Sequence, residues 1–299
     1  MRLAGHTLGT PNHTVPQALS LFRAAGLDAA EVIYQDDYKS GLPLGDRHSA
    51  TEALKASEGE GIPIVGLTPY TTAINSLDDA EWHKAVDEFR GAIDTAQLLG
   101  ADRVRVYAGS WHPGDTDHAA RWGQLRKALE TLAPEAHQAG VRLCVENHFG
   151  TMTQTAADTA ALVREIAQPS VRVLYDQANL TFTHDESYEE AFAVQGDLIG
   201  HVHVKDLVFT DPTATFRASE TARVNASERA VRSRVVGSGV VPWSPILAAL
   251  LKHGYDDVLS IELEYRWHPQ DLPTPEDGFR ESAAVLRSML TDLAQVRNA

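Results

Sequence analysis

The chain has 299 residues, a formal net charge of −15 and a single cysteine. Its length allows one large or two medium domains, and its acidic balance argues against nucleic acid as a partner. A lone cysteine excludes an intramolecular disulfide, and no stretch is apolar and long enough for a membrane span. The N-terminus has no basic segment followed by an apolar run, so we expect a cytoplasmic protein.

Short apolar strands alternate with helical patterns along the chain. The predicted strands are Arg2–Thr7, Ala29–Tyr34, Ile62–Leu67, Arg103–Tyr107, a strand from Val141 to about Glu146, Val171–Tyr175, Ile199–Lys205 and Val258–Leu263. The predicted helices are Val15–Ala25, about Asp46–Glu58, a helix that starts at Asp78 and Asp79 and runs to about Leu99, a helix from Thr116 or Asp117 to Gln138, Thr155–Ala167, Glu186–Gln195, Pro242–His253 and about Pro275–Val296.

Eight strands in strict alternation with helices predict an α/β protein with a parallel sheet covered by helices. Eight such units in this length favour a single (β/α)8 TIM barrel over residues 1–299 rather than an open doubly wound sheet. No Gly-x-Gly-x-x-Gly follows the first strand, which argues against a nucleotide cofactor.

The segment from about 207 to 239 shows no clean period and is predicted to be a long loop insertion after strand seven. It is either a solvated excursion or a lid or partner-docking loop. Its arginines are Arg217, Arg223, Arg229, Arg232 and Arg234. The Gly237-Ser238-Gly239 stretch is either a flexible hinge or a cradle for a phosphate.

Four consecutive strands end in side chains that can bind a metal: Glu146, Asp176, His203 and Glu262. The ends of barrel strands converge on one mouth, so residues distant in sequence can share a ligand. Three carboxylates and an imidazole suit Mn²⁺, Mg²⁺, Co²⁺ or Fe²⁺ rather than copper or a structural zinc. Any one of them alone could equally be a cap or an ion-pair partner, so the prediction depends on the set of four.

Two of these assignments have alternatives. His201, His203 and Lys205 alternate onto one face of their strand, and so do Glu262 and Glu264. His201 could also be a buried histidine that supports the site without touching the ligand. The strand period alone does not choose between the members of each pair.

Four motifs carry a family resemblance: Glu146–His148, Tyr175–Asn179, His201–Asp206 and Gly254–Glu262. They resemble the sugar phosphate isomerase/epimerase family of xylose-isomerase-like TIM barrels. The resemblance implies a divalent metal held by Glu, Asp, His and Glu, and it selects His203 and Glu262 as ligands. The chain departs from the ketose 3-epimerases of this family at Asn179, where they carry a substrate-binding histidine.

Three further segments, Tyr175–Phe182, Ala230–Trp243 and Tyr265–Pro273, are similar to the catalytic α subunit of bacterial C-glycoside deglycosidases. This resemblance implies cleavage of 3-oxo-C-glycosides with a divalent ion, for which we expect Mn²⁺, with Mg²⁺ or Co²⁺ as alternatives. It also implies a small β subunit as partner; a homo-oligomer is the alternative.

Both resemblances imply the same core chemistry, in which a metal polarises a carbonyl and a base removes the neighbouring proton. His148 is the candidate acid/base because it lies two residues after Glu146, on the same strand face; the alternative is a histidine that caps a loop. Glu146 and Glu262 are the candidate catalytic carboxylates. An isomerase, epimerase or dehydratase of sugars or inositols is the alternative to the lyase, and a non-catalytic sugar-binding barrel is a third hypothesis.

The substrate is expected to be a small sugar or glycoside that contacts residues beyond the strand ends. The candidate substrate-binding residues are His6, Trp111, His112, Asn179, His201, Arg234 and Trp267. Trp111, His112 and Trp267 can stack on a sugar or an aromatic aglycone, or simply pack the rim.

Overall fold

The computed structural model describes residues 1–184, 186–211 and 229–298. The middle of the predicted insertion, with Arg217 and Arg223, lies outside the described residues.

Eight parallel strands close into a barrel, as predicted. The strands of the molecule are β1 Arg2–His6, β2 Ala29–Tyr34, β3 Gly41–Leu42, β4 Ile64–Pro69, β5 Arg103–Val106, β6 Arg142–Glu146, β7 Val171–Asp176, β8 Ile199–Val204, β9 Asp206–Phe209, β10 Val231–Arg234 and β11 Val258–Ile261. The barrel order is β1-β11-β8-β7-β6-β5-β4-β2, and β1 also pairs with β2, which closes the ring. The short β3 pairs with β2 outside this ring.

Helices follow the barrel strands and cover them. They are α1 Val15–Ala24, α2 Arg47–Glu60, α3 Asp79–Leu99, α4 His118–Gln138, α5 Ala156–Ile166, α6 Gln177–His184, α7 Tyr188–Gln195, α8 Trp243–Lys252 and α9 Pro275–Asn298. The sequence did not predict α6, which begins directly after Asp176, whose Oδ1 accepts a hydrogen bond from the backbone N–H of Asn179 at 3.1 Å. None of the described helices is both long and apolar enough to cross a membrane.

Local signals explain where several helices begin and end. Thr155 forms a capping box with Asp158 at the start of α5, and Ser187 does the same with Glu190 at the start of α7. Helix α3 ends at Gly100, whose φ of +71° is unfavourable for other residues. These caps fix the helix positions relative to the strands that carry the site.

The apolar core lies between the strands and the helices, where Phe22, Phe89 and Trp243 are fully buried. Charged side chains are also buried in the barrel strands, among them Glu31 and Arg103. Buried charges are costly unless they are paired. Each of these buried charges therefore needs a partner inside the barrel, and the partners are described with the site below.

The described ends of the predicted insertion are not an irregular loop, because β9 and β10 pair as antiparallel strands. The carboxylate of Asp206 accepts hydrogen bonds from the backbone N–H groups of Leu207, Gly237, Gly239 and Val241 at 2.8–3.1 Å. The glycine amides that were considered as a phosphate cradle thus bind a carboxylate of the chain itself.

Candidate metal centre

The structure brings Glu146, Asp176, His203 and Glu262 together at the mouth of the barrel. Each offers a ligand atom, and these atoms lie within 4.8 Å of one another. Glu146 ends β6, Asp176 ends β7 opposite His203 of β8, and Glu262 directly follows β11. All four residues are buried. Neighbouring parallel strands therefore place the four side chains in one cluster.

The donor atoms of this cluster fit a hard divalent cation. Asp176 Oδ2, His203 Nδ1 and Glu262 Oε2 are buried, and none of them makes a contact with hydrogen-bond geometry to a described residue, although the two carboxylate oxygens form ion pairs. His203 Nδ1 lies 2.7 Å from Glu262 Oε2, but this close contact lacks hydrogen-bond geometry. Two carboxylate oxygens and one imidazole nitrogen converge there, which is the donor chemistry such ions prefer.

Lys205 lies beside the cluster and was given no role by the sequence. Its Nζ is 3.1 Å from Asp176 Oδ2, 3.2 Å from Glu262 Oε2 and 3.4 Å from Glu264 Oε1. Burial alone would lower the pKa of Lys205, but these carboxylates raise it well above its usual value, so the ammonium stays charged. Glu264 contacts this ammonium and lies outside the four-residue cluster.

Glu146 is held by Arg105 and Asn179. Arg105 places Nε 2.6 Å and Nη2 2.5 Å from Glu146 Oε2, and Asn179 Nδ2 donates to Glu146 Oε1 at 3.3 Å. Burial raises the pKa of Glu146, but Arg105 and neighbouring cations lower it more, so it stays well below the usual value. For Asp176, burial outweighs the nearby Lys205, and its pKa is raised.

His203 contacts carboxylates through both ring nitrogens. Its Nε2 is 3.1 Å from Glu31 Oε2, whereas its Nδ1 faces Glu262 and Glu146 at 2.7 and 3.5 Å. His201 contacts the same Glu31 oxygen through Nε2 at 3.0 Å and Arg103 Nη1 through Nδ1 at 3.1 Å.

The surroundings of His201 do not match the expected substrate-binding role. The residue is buried, and both of its ring nitrogens are engaged by Glu31 and Arg103. Its alternative interpretation, a buried histidine that supports the site, describes this geometry.

His148 lies in the loop after β6 rather than on the strand. Its Nδ1 is 2.6 Å from the carbonyl oxygen of Phe149, and its ring lies 5.0 Å from that of Tyr107. Burial lowers the pKa of His148 to about 4. The ring is therefore neutral near pH 7, with its proton on Nδ1 and a lone pair on Nε2.

A row of planar side chains in contact with one another borders the mouth. In order, the row comprises Arg266, Tyr38, Tyr70, Arg105, Tyr107 and His148, with neighbouring groups 3.9–5.5 Å apart. It runs from the loop after β11 to the loop after β6 and holds Arg105 between two tyrosine rings. Cation–π contacts of this kind orient a guanidinium as well as stabilise it.

The other predicted substrate-binding residues differ in exposure. His6 is buried, with Nε2 3.0 Å from Thr68 Oγ1 and its ring 5.4 Å from that of His203. Trp111 is half-buried and donates its backbone N–H to the carbonyl of Gly150, next to the His148 loop, and the adjacent His112 is exposed.

Trp267 and Arg234 make no described contact with the four-residue cluster. Trp267 is 50% exposed and lines a cavity of about 550 Å³ together with Tyr265 and Arg266. Arg234 lies on β10 and donates through Nη1 to the carbonyl of Ser233 at 2.8 Å. No contact in the described structure joins Arg234 to the cluster.

Sequence reasoning missed Glu31, Arg103 and Arg105 and left Lys205 without a role. The available signal was a charge inside an otherwise apolar strand: Glu31 lies in Ala29–Tyr34, and both arginines lie in Arg103–Val106. A charge buried in a barrel strand needs a partner across the interior, which makes such positions candidates for a site.

A closed barrel with a carboxylate–histidine cluster at its mouth defines the general class, a (β/α)8 protein whose site can hold a divalent metal. Residues 19–289 match the family described as xylose isomerase-like TIM barrel. The chain therefore belongs to the xylose isomerase-like TIM barrel family.

Two kinds of enzyme are represented among the similar curated proteins. The inosose dehydratase of Lacticaseibacillus casei is 27% identical over 143 residues, which cover 48% of this chain and 47% of that protein. The D-psicose 3-epimerase of Agrobacterium fabrum is 25% identical over 225 residues, which cover 73% of this chain and 69% of that protein. The match to the inosose dehydratase thus spans about half of its length.

Solved structures share the fold over nearly the whole chain. The IOLI protein with a binding zinc atom superposes with a TM-score of 0.78 at 19% identity, covering 98% of this chain and 99% of that one. The 3-keto-D-glucoside 4-epimerase from E. coli superposes with a TM-score of 0.73 at 16% identity, covering 96% and 99%. At these identities the likeness establishes the fold.

Proposed function

We propose that this chain is a divalent-metal-dependent enzyme that acts on a keto-sugar by removing the proton next to its carbonyl. The observation that carries the proposal is the buried cluster of Glu146, Asp176, His203 and Glu262, whose ligand atoms lie within 4.8 Å of one another. The similar dehydratases and epimerases, which act on an inosose or a ketose by name, support the substrate class.

The four clustered residues would hold the metal, with Mn²⁺ as the expected ion. A bound divalent ion polarises a carbonyl and stabilises the negative charge that develops on its oxygen. Glu146 and Glu262 come from the two outer strands of the four and are the proposed catalytic carboxylates. Lys205 keeps Asp176 and Glu262 close together without adding another negative charge.

His148 is the proposed proton carrier. Its Nδ1–H is committed to the Phe149 carbonyl, so only Nε2 can accept a proton from the substrate. Because burial keeps the ring neutral down to a pH of about 4, His148 is in the base form throughout the neutral range.

The fate of the resulting enolate distinguishes the candidate reactions. Our specific proposal is C–C cleavage of a 3-oxo-C-glycoside by a catalytic subunit that works with a small β subunit. The enolate electron pair expels the aglycone carbon, which takes up a proton, and an unsaturated keto-sugar remains. The support for this choice is the resemblance of Tyr175–Phe182, Ala230–Trp243 and Tyr265–Pro273 to the catalytic subunit of C-glycoside deglycosidases.

An epimerase or dehydratase of sugars or inositols is the second candidate, favoured by the names of the similar curated proteins. In an epimerase, the proton returns to the other face of the same carbon. In a dehydratase, the enolate expels hydroxide from the neighbouring carbon.

Metal analysis tests the site. Purified protein reconstituted with Mn²⁺, Mg²⁺, Co²⁺ or Zn²⁺ should bind about one equivalent, and Glu146→Gln and Asp176→Asn should each weaken binding more than about 100-fold, beyond the loss typical of residues that only support a ligand. Glu52→Gln, on the exposed face of α2, is the control. Unchanged metal content in both site variants would contradict the proposed site.

Substrate assays test the reaction. The metal-loaded protein is incubated with a 3-oxo-C-glycoside, an inosose and free ketoses, with exchange of solvent deuterium as the common readout for proton removal. Released aglycone supports C–C cleavage, and reaction of the inosose or ketoses alone supports the second candidate. Metal binding without exchange into any of them would indicate the non-catalytic sugar-binding barrel.

A further inference from the structure

We propose that Arg103, His201 and Glu31 form a hydrogen-bond relay of fixed direction, and that Glu31 thereby acts as the positioning residue that turns Nδ1 of His203 toward the metal-binding carboxylates. This inference rests on the proposed function for its consequence, the orientation of a metal ligand. Its geometry depends on contacts of Arg103, His201 and Glu31, none of which belongs to the four-residue cluster.

The direction of the relay starts at Arg103, because a guanidinium can only donate hydrogen bonds. Its Nη1 lies 3.1 Å from Nδ1 of His201, so this nitrogen must be the acceptor. A neutral imidazole that accepts at Nδ1 carries its proton on Nε2. That Nε2–H points at Glu31 Oε2, 3.0 Å away.

Glu31 then determines the orientation of the second histidine. The oxygen that accepts from His201 also lies 3.1 Å from Nε2 of His203. An ionised carboxylate is only an acceptor, so His203 also donates through Nε2. Nδ1 is therefore the nitrogen left to face Glu262 and Glu146, at 2.7 and 3.5 Å.

Further contacts immobilise the start of the relay. Arg103 donates through Nε to Asp102 at 2.7 Å and through Nη2 to Asp257 at 2.9 Å, so the guanidinium cannot turn away from His201. Gly66 leaves room for both ends: a Cβ there would lie 2.8 Å from Arg103 Cγ and 3.4 Å from Glu31 Cγ. The relay thus spans the interior from β5 through β8 to β2.

A carboxylate that holds the far nitrogen of a metal-binding histidine typically changes metal affinity 10- to 100-fold when it is removed. We therefore expect Glu31→Leu to weaken Mn²⁺ or Co²⁺ binding by about 10- to 100-fold in calorimetric titrations. Glu31→Gln retains an acceptor oxygen and should lose less. His201→Gln can still accept from Arg103 and donate to Glu31, whereas His201→Leu can do neither and should bind more weakly than His201→Gln.

A purely structural role would not change the ligand field of the metal. The visible absorption of the Co²⁺-loaded protein should shift in Glu31→Leu and return toward wild type in Glu31→Gln. Circular dichroism and thermal unfolding check that each variant folds, and the exposed Glu52→Gln is the matched charge control. Wild-type affinity and an unshifted Co²⁺ spectrum in a folded Glu31→Leu would overturn the proposal.

Nitrogen-15 NMR of imidazole-labelled wild-type protein tests the relay without any variant or metal. We expect His201 to be protonated at Nε2 and unprotonated at Nδ1, and His203 to carry a proton on Nε2. A proton on Nδ1 of His201 would overturn the relay even if the protein binds metal. The expected signals in a protein that binds no divalent ion would instead refute the proposed function and leave the relay in place.

Discussion

The two halves of the barrel contribute different side chains to one interior. The ligand half, strands β6, β7, β8 and β11 with the loops that follow them, supplies the clustered residues Glu146, Asp176, His203 and Glu262. The support half, strands β1, β2, β4 and β5, supplies His6, Glu31, Thr68, Arg103 and Arg105. The ligand half is mainly anionic, and the support half carries two arginines.

This difference indicates a division of roles. Arg105 compensates the charge of Glu146, and Glu31 accepts hydrogen bonds from both histidines of β8. We therefore expect substitutions in the ligand half to change chemistry more than stability, and substitutions in the support half to change stability and ligand geometry. Four predictions test this division, from the largest expected effect to the smallest.

His148, in the loop that follows β6, should matter for catalysis and not for metal content. We expect His148→Gln to lower kcat by about 10²- to 10⁴-fold, the usual contribution of a positioned acid/base. The exposed His137, in the last turn of α4, provides the control His137→Gln, which should change kcat little. A loss below about tenfold in His148→Gln would favour the alternative that His148 only caps its loop.

Arg105 should matter most for stability. Arg105→Met leaves Glu146 buried without its cation, which typically costs about 3–5 kcal/mol of unfolding free energy. The comparison variant is Arg90→Met, which removes an ion pair with Glu135 near the surface and should cost about 1 kcal/mol or less. Urea unfolding of metal-free protein measures both, and equal losses would argue against the assigned role of Arg105.

His6 should make stability depend on pH. Burial lowers its pKa to about 4 from an ordinary value of 6.5, so the unfolded chain binds a proton in this range before the folded one does. The contribution of His6 is fully present above pH 6.5 and is lost as the pH falls toward 4, by up to about 3 kcal/mol. His6→Gln should flatten this part of the curve of unfolding free energy against pH; an unchanged slope would show that His6 is not buried as a neutral ring.

Substitution of Asp176 should abolish metal binding without lowering the stability of the metal-free protein. Because burial raises its pKa, the charged carboxylate is unfavourable in the folded, metal-free protein at neutral pH. Asp176→Asn removes that charge, so we expect equal or higher stability, by no more than about 2 kcal/mol, together with lost metal binding. Urea unfolding in the presence of a chelator checks the sign, and a clear destabilisation would contradict it.

The sequence predicted the ligand half because each of its candidates interrupts an apolar run at a strand end. Glu146 and Asp176 are the last residues of their strands, and Glu262 directly follows β11. The support half lacked that signal, because Glu31 and Arg105 lie inside their strands rather than at the ends. In the sequence they look like charged residues on the solvent-facing side of a strand. Helix α6 and the β9–β10 pairing were also missed, because a side-chain cap and an antiparallel register depend on contacts that no local period encodes.

The sequence alone determined the alternation of eight strands with helices. Because this alternation makes the strands parallel, it also determined that their C-terminal ends meet at one mouth of the barrel. The strand period could not choose between His201 and His203, because both alternate onto the same face; only the family resemblance favoured His203. The tertiary structure distinguished their surroundings: closure between β1 and β2 brings Glu31 to within hydrogen-bond distance of His203, 172 residues further along the chain. The partners of a charge inside a closed barrel depend on which strands face each other across the interior, and only the closed ring defines that.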